Sequence, residues 1–417
     1  MHVGSISKII VLIIVIIVAI IGIYYAFNSG IFGSSTNTTS ISSGFIPITI
    51  YNTQNIPTPQ PFQQDIAICN GSINIGNNFA YVNNATLFNQ INPNGQNVLF
   101  FNPNNGQLLY SWYEGQLNYN GVTCDVWWIN ISQGIPANSN VTIYMYLGNS
   151  SANYYSQYYP YVGTNAQVIG TMKYDNGQDV FIAYGYFNNT FDGWQGYAFS
   201  GPFPTVTPNG IEMVNNSYVS VSTYILPPNN WNIPKILLIV EEAWYCTQGT
   251  DTNVIALFGN TSQQFFAENI GSTSGGATVA SSSSTFVQFQ YDYGSNPSIS
   301  QAVMLKSAVT GQYLNYTLFQ AHGGTIYSYL LVNSSYAQTG YYKYNSNQVW
   351  VPLTLLDTYT INNNGYTYSN LNYNPFQYGT LEISAGNGIF DIASQYVQWV
   401  VARAYPPNGV MPSIYIG

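Results

Sequence analysis

The chain begins with one long apolar segment. Residues Ile9 to Phe27 contain no charged residue and no proline, and a single lysine, Lys8, precedes them. A helix of that length spans the roughly 30 Å hydrocarbon core of a bilayer, and its backbone groups bond to one another there. The pattern predicts a single-pass anchor within residues 1–28. By the positive-inside tendency, Lys8 places the N-terminus in the cytosol and the rest of the chain outside.

Two other interpretations of this segment stay open. It is long for a cleaved secretory signal, and no clear A-x-A site follows it. The residues before it, Gly4-Ser5-Ile6-Ser7, are similar to the cleavage site of archaeal type IV prepilins. Cleavage there would leave a pilin-like assembly helix, although His2 stands where prepilins have Lys or Arg.

Short alternating segments follow, separated by Gly, Pro and Asn. Residues 29–44 are rich in Gly, Ser and Thr, and this composition is typical of a flexible linker. Beyond them the periodicity of two indicates strands. The strands predicted in the first part are Asp65–Cys69, Val98–Phe101, Gln107–Tyr113, Thr123–Ile131 and Val141–Leu147. Those predicted later are Lys235–Tyr245, Asn253–Phe258, Phe286–Tyr291, Tyr313–Gln320, Thr325–Leu331 and Tyr378–Ile383.

Composition supports an all-β fold. Only 5% of the residues are charged, and exposed helices depend on Lys and Glu. The 39 Tyr, 21 Phe and 8 Trp supply ample material for packed cores, so the chain is not disordered. We therefore predict two β-sandwich, jelly-roll-like domains after the anchor, at residues 45–163 and 164–417.

The scarcity of ionisable groups points to an acidic exterior. Acid denatures proteins mainly by protonating carboxylates that the native state holds ionised. A chain with 15 acidic and 6 basic residues has few such groups. The net charge of −9 is spread over 417 residues and gives only a weak electrostatic field. The sequence contains no basic patch that would support nucleic-acid binding.

Eleven N-x-S/T sequons fit a glycosylated product of a secretory route, although several would arise by chance in a chain so rich in Asn. They begin at Asn37, Asn70, Asn84, Asn130, Asn140, Asn149, Asn188, Asn215, Asn260, Asn315 and Asn333. Among three cysteines, Cys69 and Cys124 lie in one predicted domain. The sequence leaves two interpretations open: the two cysteines form a disulfide outside the cell, or they are buried thiols.

A family resemblance rests on three stretches, GQLLYSWYEG (106–115), DVWWINIS (125–132) and IPANSNVTIYMYLGNSSA (135–152). They resemble the numbered domain-of-unknown-function family 2341, with matches at Glu114, Trp127, Trp128, Tyr146, Gly148 and Asn149 and a departure at Leu147. The ending, residues 395–417, is similar to the strand that often closes such domains, through Trp399, Arg403, Pro412 and Ser413. The resemblance implies a surface protein of an archaeon, a bacterium or an archaeal virus, without an established activity.

Residues 191–230 resemble the opening strands of concanavalin A-like or laminin-G-like jelly rolls. The glucanases that share this fold carry a Glu-x-Asp-x-x-Glu strand, and no such motif occurs here. Glu241 and Glu242 are adjacent, so on a strand they point to opposite faces. His322 lacks a G-x-S-x-G partner, and the three dispersed cysteines exclude a zinc site. We therefore expect no enzymatic activity.

No cofactor is expected, with calcium as the single exception to consider. Asp175, Asp179 and Asp192 fall in one loop-rich stretch, and jelly-roll sandwiches often bind calcium through carboxylates and carbonyls. Their spacing matches no calcium loop that we recognise, so solvated acids are the simpler interpretation.

The adjacent Trp127 and Trp128 must point to opposite faces of a strand, and one of them is our candidate for an interdomain contact. Trp399 alternates with Val397 and Val401, which predicts a buried position. Two hypotheses remain for the function of the exposed aromatic residues. In the first, the chain mediates adhesion, and these residues stack on the sugar rings of glycans or contact a cell-surface protein. In the second, they pack against further copies of the chain in a coat, spike or filament.

Overall fold

Extended segments account for most of the secondary structure. The computed structural model describes residues 44–198 except 75 and 78, then 202–214, 217–222, 235–260, 264–274, 285–293, 305–307, 325–333, 336–343, 365–369, 380–385 and 392–417. For residues 197–198 and 214–395, only the backbone of these segments is described. The all-β class is confirmed, while the jelly-roll topology stays a prediction.

The predicted anchor, the linker to residue 43, the strand Tyr313–Gln320 and His322 lie outside the described residues. Among the helices that are described, none has the length and hydropathy needed to cross a bilayer.

Eight strands and two helical turns make up the first part of the fold. The strands are β1 (Phe45–Asn52), β2 (Phe62–Cys69), β3 (Tyr81–Asn83), β4 (Val98–Phe101), β5 (Ser111–Tyr119), β6 (Val122–Ile131), β7 (Ser139–Leu147) and β8 (Val162–Thr164). The helical turns are α1 (Ala85–Phe88) and α2 (Tyr155–Tyr158). The predicted strands of this part agree with β2, β4, β6 and β7 within a few residues at their ends. The strand predicted at Gln107–Tyr113 overlaps β5 only at residues 111–113, so its bounds were wrong.

The later elements run from residue 166 to the end of the chain. Short helices come first: α3 (Ala166–Ile169), a 3₁₀ turn (Met172–Tyr174) and α4 (Gly177–Val180). The strands are β9 (Ala183–Tyr186), β10 (Gln195–Ala198), β11 (Thr205–Thr207), β12 (Gly210–Val214), β13 (Ser217–Ser222), β14 (Lys235–Asn260), β15 (Gln264–Ser274), β16 (Thr285–Tyr293), β17 (Leu305–Ser307), β18 (Thr325–Asn333), β19 (Tyr336–Lys343), β20 (Gly365–Ser369), β21 (Thr380–Ala385), β22 (Ile392–Ala404) and β23 (Ser413–Ile416). A second 3₁₀ turn (Pro407–Gly409) precedes β23.

Three sheets contain these strands. Sheet A has the order β23-β1-β7-β4 and sheet B the order β3-β2-β6-β5-β8. Sheet C is a 14-stranded network whose longest path runs β10-β13-β21-β14-β15-β16-β17, with β22 joined to β9, β12 and β14. Within the described residues, the last strand, β23, thus pairs with the first, β1, and Ile50 lies opposite Ile414.

Sheet B is covered on both faces. On one face, the Trp127 ring lies 5.8 Å from that of Phe100 in sheet A. On the other, the Trp128 ring lies 5.9 Å from Phe181, and the Arg403 guanidinium of β22 lies 5.1 Å above the Trp128 ring. This explains why every residue of β2 is buried, whereas β1 alternates between buried and more exposed positions.

The two adjacent indoles therefore point to opposite faces, as the pleat requires. Trp128 meets two residues of the second predicted domain, Phe181 and Arg403. Trp399 is buried in β22, as predicted. Contacts group Ile46–Gly417 as one compact unit, and a division at residue 163 within that unit stays a prediction.

Cys69 and Cys124 lie directly opposite each other on β2 and β6, and they form a disulfide. The bridge joins two strands in the middle of the layered structure, and both cysteines are fully buried. Of the remaining sequence candidates, Glu241 and Glu242 lie in β14 at a register shift, where only the backbone is described.

Candidate functional site

Two adjoining cavities lie beside the segments that connect sheet B to sheet C. The first, here called the acidic cavity, has a volume of about 350 Å³. It is lined by Tyr159, Met172, Asp175, Gln178, Asp179, Asn188, Thr190 and Asp192. The second, the neutral cavity, has a volume of about 490 Å³ and shares Met172 and Asn188 with the first. Its other lining residues include Gln167, Tyr186, Asn209 and Gln398, and none of its lining side chains carries a charge.

The buried side chain of Asn176 holds the wall of the acidic cavity in place. Its Nδ2 donates hydrogen bonds to the carbonyl oxygens of Ser111, at 3.0 Å, and Pro160, at 2.8 Å. These bonds tie the segment around Pro160 to strand β5. Gly163 makes the approach feasible, because a Cβ at that position would stand 2.2 Å from Asn176 Oδ1.

Asp175 is the polar centre beneath the cavity. One carboxylate oxygen accepts from Trp112 Nε1 at 2.9 Å and from the Gly177 backbone at 3.2 Å. The other accepts from the Tyr184 hydroxyl at 2.7 Å and from the Ala166 backbone at 3.1 Å. Burial raises the pKa of Asp175 to about 6, although these four donors favour the ionised form. The carboxylate therefore joins β5, α3 and β9 and has little capacity left for a ligand.

Asp179 and Asp192 are more available. Among the described residues, none donates a hydrogen bond to the Asp179 carboxylate, while Asp192 Oδ2 accepts one from the Tyr186 backbone at 2.9 Å. Burial raises the pKa of both carboxyls. Gln178 Nε2 donates to the Asp192 carbonyl oxygen at 2.7 Å, and Thr190 Oγ1 accepts from the Asp192 backbone at 3.0 Å. These contacts fix the loop that presents Asp192.

Tyr159 places an accessible aromatic ring at this cavity. Its side chain is 45% exposed, and its hydroxyl donates to the Asp175 carbonyl oxygen at 3.2 Å. Burial raises the pKa of Tyr159, and the negative charges of Asp179, Asp175 and Asp192 raise it further. Tyr159 and these three aspartates line the same cavity.

Further tyrosines continue from Tyr159 across the exterior, and we call this set the tyrosine surface. Tyr158 and Tyr161 are 37% and 43% exposed. Their rings contact partly buried neighbours, since Tyr158 lies 5.7 Å from Tyr154 and Tyr161 lies 4.7 Å from Tyr110. The tyrosine surface comprises Tyr110, Tyr154, Tyr158, Tyr159, Tyr161 and Tyr174.

The three calcium candidates all reach the acidic cavity. Within the part of the chain that the structure describes, however, no three His, Cys, Asp or Glu side chains stand close enough together to hold a metal ion. Asp175 already accepts four hydrogen bonds, so calcium would have to compete with them. Calcium binding stays a prediction.

The described sequons differ in how accessible their asparagines are. Asn70, Asn140, Asn149 and Asn188 are exposed, whereas Asn84 and Asn130 are partly buried. Asn130 Nδ2 donates to the Asp179 carbonyl oxygen at 3.2 Å. Asn37, Asn215 and Asn315 lie outside the described residues, and only the backbone is described at Asn260 and Asn333.

Comparison with known proteins adds one viral relative. No protein-family model matches the chain, so the resemblance to family 2341 gains no support there. Uncharacterized protein 562 of Sulfolobus islandicus rod-shaped virus 1 is 28% identical over 394 residues, which are 89% of this chain and 60% of that protein. The chain thus spans less than two thirds of the length of this relative.

Solved structures give only distant similarities. A GH43 protein, BlXynB from Bacillus licheniformis, aligns with a TM-score of 0.32 and 9% identity over 68% of this chain and 47% of that one. The binding domain of botulinum neurotoxin serotype C1 aligns with a TM-score of 0.27 and 10% identity over 52% of this chain and 44% of that one. Similarity this low carries no argument about function.

Proposed function

We propose that this chain is a surface recognition protein of an archaeal virus or cell and that it binds glycans at the acidic cavity. The observation that carries the proposal is the exposed Tyr159 ring beside the carboxyls of Asp179 and Asp192. Sugars present a weakly polar ring face bordered by hydroxyl donors. An aromatic ring flanked by hydrogen-bond acceptors complements both features.

The surrounding amides support the same ligand class. Gln178, Asn188 and Thr190 add neutral donors and acceptors to the acidic cavity. The neutral cavity next to it offers Gln167, Asn209 and Gln398. Cavities of about 300–1,000 Å³ are typical of small-ligand sites, and both volumes, about 350 and 490 Å³, fall in that range.

The proposal includes the location of the protein. The apolar segment Ile9 to Phe27 anchors the chain in a membrane, and the β-structure is displayed outside. The relative from a rod-shaped virus supports a particle surface as that exterior. Glycans or a glycosylated protein of the host surface are then the partners.

Glycan-array binding by the full-length chain in detergent tests the function. We expect Tyr159→Ala and Asp179→Asn each to weaken binding about tenfold or more, since each removes a direct contact worth at least 1.4 kcal/mol. Tyr415→Ala is the matched control, because Tyr415 is 58% exposed on β23 and does not line the acidic cavity. The proposal fails if wild type binds no glycan, or if Tyr159→Ala binds as well as Tyr415→Ala.

Self-assembly into a coat or filament is the second candidate function. The tyrosine surface favours it, because clustered exposed Tyr side chains are enriched at protein interfaces. Sedimentation of the full-length chain over a range of concentrations tests this function. The double substitution Tyr158→Ala with Tyr161→Ala should reduce association, and unchanged sedimentation would exclude the tyrosine surface as the interface.

Calcium binding has a separate test. If Asp179 and Asp192 hold a calcium ion, chelation should lower both the melting temperature and glycan affinity, and Asp192→Asn should remove the response to calcium. A melting temperature that is the same in calcium and in chelator would rule out the ion.

A further inference from the structure

Asn188 stands at the junction of the two cavities. Its side chain is exposed and lines both the acidic and the neutral cavity. It is also the acceptor of the sequon Asn188-Asn189-Thr190. From this coincidence we infer that N-glycosylation of Asn188 closes the acidic cavity, so that modification decides whether the chain can bind. The inference rests on the proposed function and concerns the regulation of that same site.

The Asn188 amide nitrogen is available for modification. Asn188 Oδ1 accepts a hydrogen bond from Asn189 Nδ2 at 3.0 Å, and no described residue accepts one from Asn188 Nδ2. Asn130 shows the opposite situation, since its Nδ2 donates to the Asp179 carbonyl and its Oδ1 is buried. A sugar on Asn130 would break the packing of α4, whereas a sugar on Asn188 leaves the described hydrogen bonds intact.

The reaction replaces one N–H bond and one C–O bond by one N–C bond and one O–H bond. Asn188 Nδ2 bonds to the anomeric carbon of a lipid-phosphate-linked oligosaccharide as the bond from that carbon to the phosphate oxygen breaks. The Nδ2 proton passes through a base of the transferase to the departing lipid phosphate. The transferase and this donor come from the host's secretory route.

The attached sugar would occupy the space that a ligand needs. Asn188 and Met172 form the wall common to both cavities, so a sugar extending from Asn188 Nδ2 starts between them. Thr190, the hydroxyl residue of the sequon, also lines the acidic cavity and holds the Asp192 backbone. A glycan here competes sterically with an incoming glycan at Tyr159 and Asp192.

The test compares full-length chain from a host that N-glycosylates with chain from a host that does not. Peptide mass spectrometry measures how much of Asn188 is glycosylated, and the glycan array measures binding. We expect glycosylated wild type to bind about tenfold or more weakly than the unmodified chain. Asn188→Gln, which removes the sequon, should bind glycans with the same affinity whether it comes from the glycosylating or the non-glycosylating host. Asn149→Gln removes another exposed sequon. When it is made in the glycosylating host, it should bind glycans as weakly as glycosylated wild type.

A second measurement does not depend on any ligand. Hydroxyl-radical oxidation of Met172 should fall when Asn188 is glycosylated, while oxidation of Tyr415, which lines neither cavity, should not change. If the unmodified chain binds no glycan but Met172 is protected, the proposed function fails and the closure stands. The closure is overturned if Asn188 carries a glycan and neither binding nor Met172 oxidation changes. It is also overturned if Asn188 stays unmodified in a host that glycosylates a reporter sequon.

Discussion

The Tyr113 hydroxyl oxygen lies 2.5 Å from Asp125 Oδ1 and 3.0 Å from the Pro93 carbonyl oxygen. Tyr113 has one hydroxyl proton, so it can donate to only one of these acceptors. If Asp125 is protonated, it can donate to Tyr113 while Tyr113 donates to Pro93, and both contacts are then satisfied. This geometry favours a neutral carboxyl, in agreement with the effect of burial, which raises the pKa of Asp125 to about 7.

Acid should therefore stabilise this protein. A carboxyl in an unfolded chain has a pKa of about 3.9, so between about pH 4 and 7 the Asp125 carboxyl is more fully protonated in the folded protein than in the unfolded chain. The free energy of unfolding then falls as pH rises through this window. For Asp125 alone the difference is roughly 4 kcal/mol, and Asp175, with a pKa of about 6, acts in the same direction.

Urea unfolding at about pH 4 and about pH 8 measures this dependence. Asp125→Asn should be less sensitive to pH than wild type, because its side chain stays neutral throughout. An unfolding free energy that is lower at pH 4 than at pH 8 would contradict the prediction. It would also remove the main support for an acidic exterior.

The adjacent indoles of β6 allow a matched pair of substitutions. Trp128 Nε1 donates to the buried Glu114 carboxylate at 2.6 Å, whereas no described residue accepts a hydrogen bond from Trp127. Both rings are almost completely buried. Trp128→Phe should therefore destabilise the fold more than Trp127→Phe, by about 1–3 kcal/mol, the usual cost of removing one partner from a buried hydrogen bond. Equal unfolding free energies for the two variants would show that packing alone determines the loss.

The local alternation of apolar and polar residues predicted where individual strands lie. It predicted less well where the strands end and which strands pair with each other. Val141, Ile143, Met145 and Leu147 alternate, and β7 includes them all. Later in the chain the sequence predicted two strands, Lys235–Tyr245 and Asn253–Phe258, where the structure has the single strand β14. Register shifts interrupt the alternation inside β14, so the periodicity is lost although pairing continues. The pairing of β1 with β23 joins opposite ends of the β-structure, and no local pattern encodes it.

The disulfide gives a third prediction. Cys69 and Cys124 close a loop with a sequence separation of 55 residues. Chain entropy predicts about 4 kcal/mol of stabilisation for a loop of that size. Cys69→Ala with Cys124→Ala should lose about this amount in urea unfolding. Wild type denatured without reductant should expose one thiol per chain, that of Cys246, and three after reduction. Three thiols without reductant would exclude the bridge.

The candidate site was only partly predictable. Asp175, Asp179 and Asp192 were singled out because they lie close together in the sequence, and all three reach one cavity. The sequence did not single out Tyr159, because nothing in its local sequence distinguishes it from the other tyrosines among the 39 in the chain. Its exposure beside the carboxyls depends on tertiary contacts, above all the bonds from Asn176 to Ser111 and Pro160.

That dependence makes Gly163 a remote determinant of the site. A methyl group at Gly163 would stand 2.2 Å from Asn176 Oδ1 and 2.4 Å from the Tyr174 carbonyl oxygen. The second contact is with backbone, so a side-chain rotation cannot relieve it. Gly163→Ala should therefore displace Asn176, release the segment that carries Tyr159, and cost about 1–3 kcal/mol of stability.

Gly71→Ala is the control for this substitution, because the nearest atom to its new methyl group is a side-chain carbon of Val122 at 3.1 Å. At a temperature where both variants are folded, Gly163→Ala should bind glycans more weakly than Gly71→Ala. Equal binding by the two variants, with Gly163→Ala destabilised, would mean that Tyr159 keeps its place without Asn176. The shape of the acidic cavity would then have to come from its own loop, through Gln178 and Thr190, rather than from strand β5.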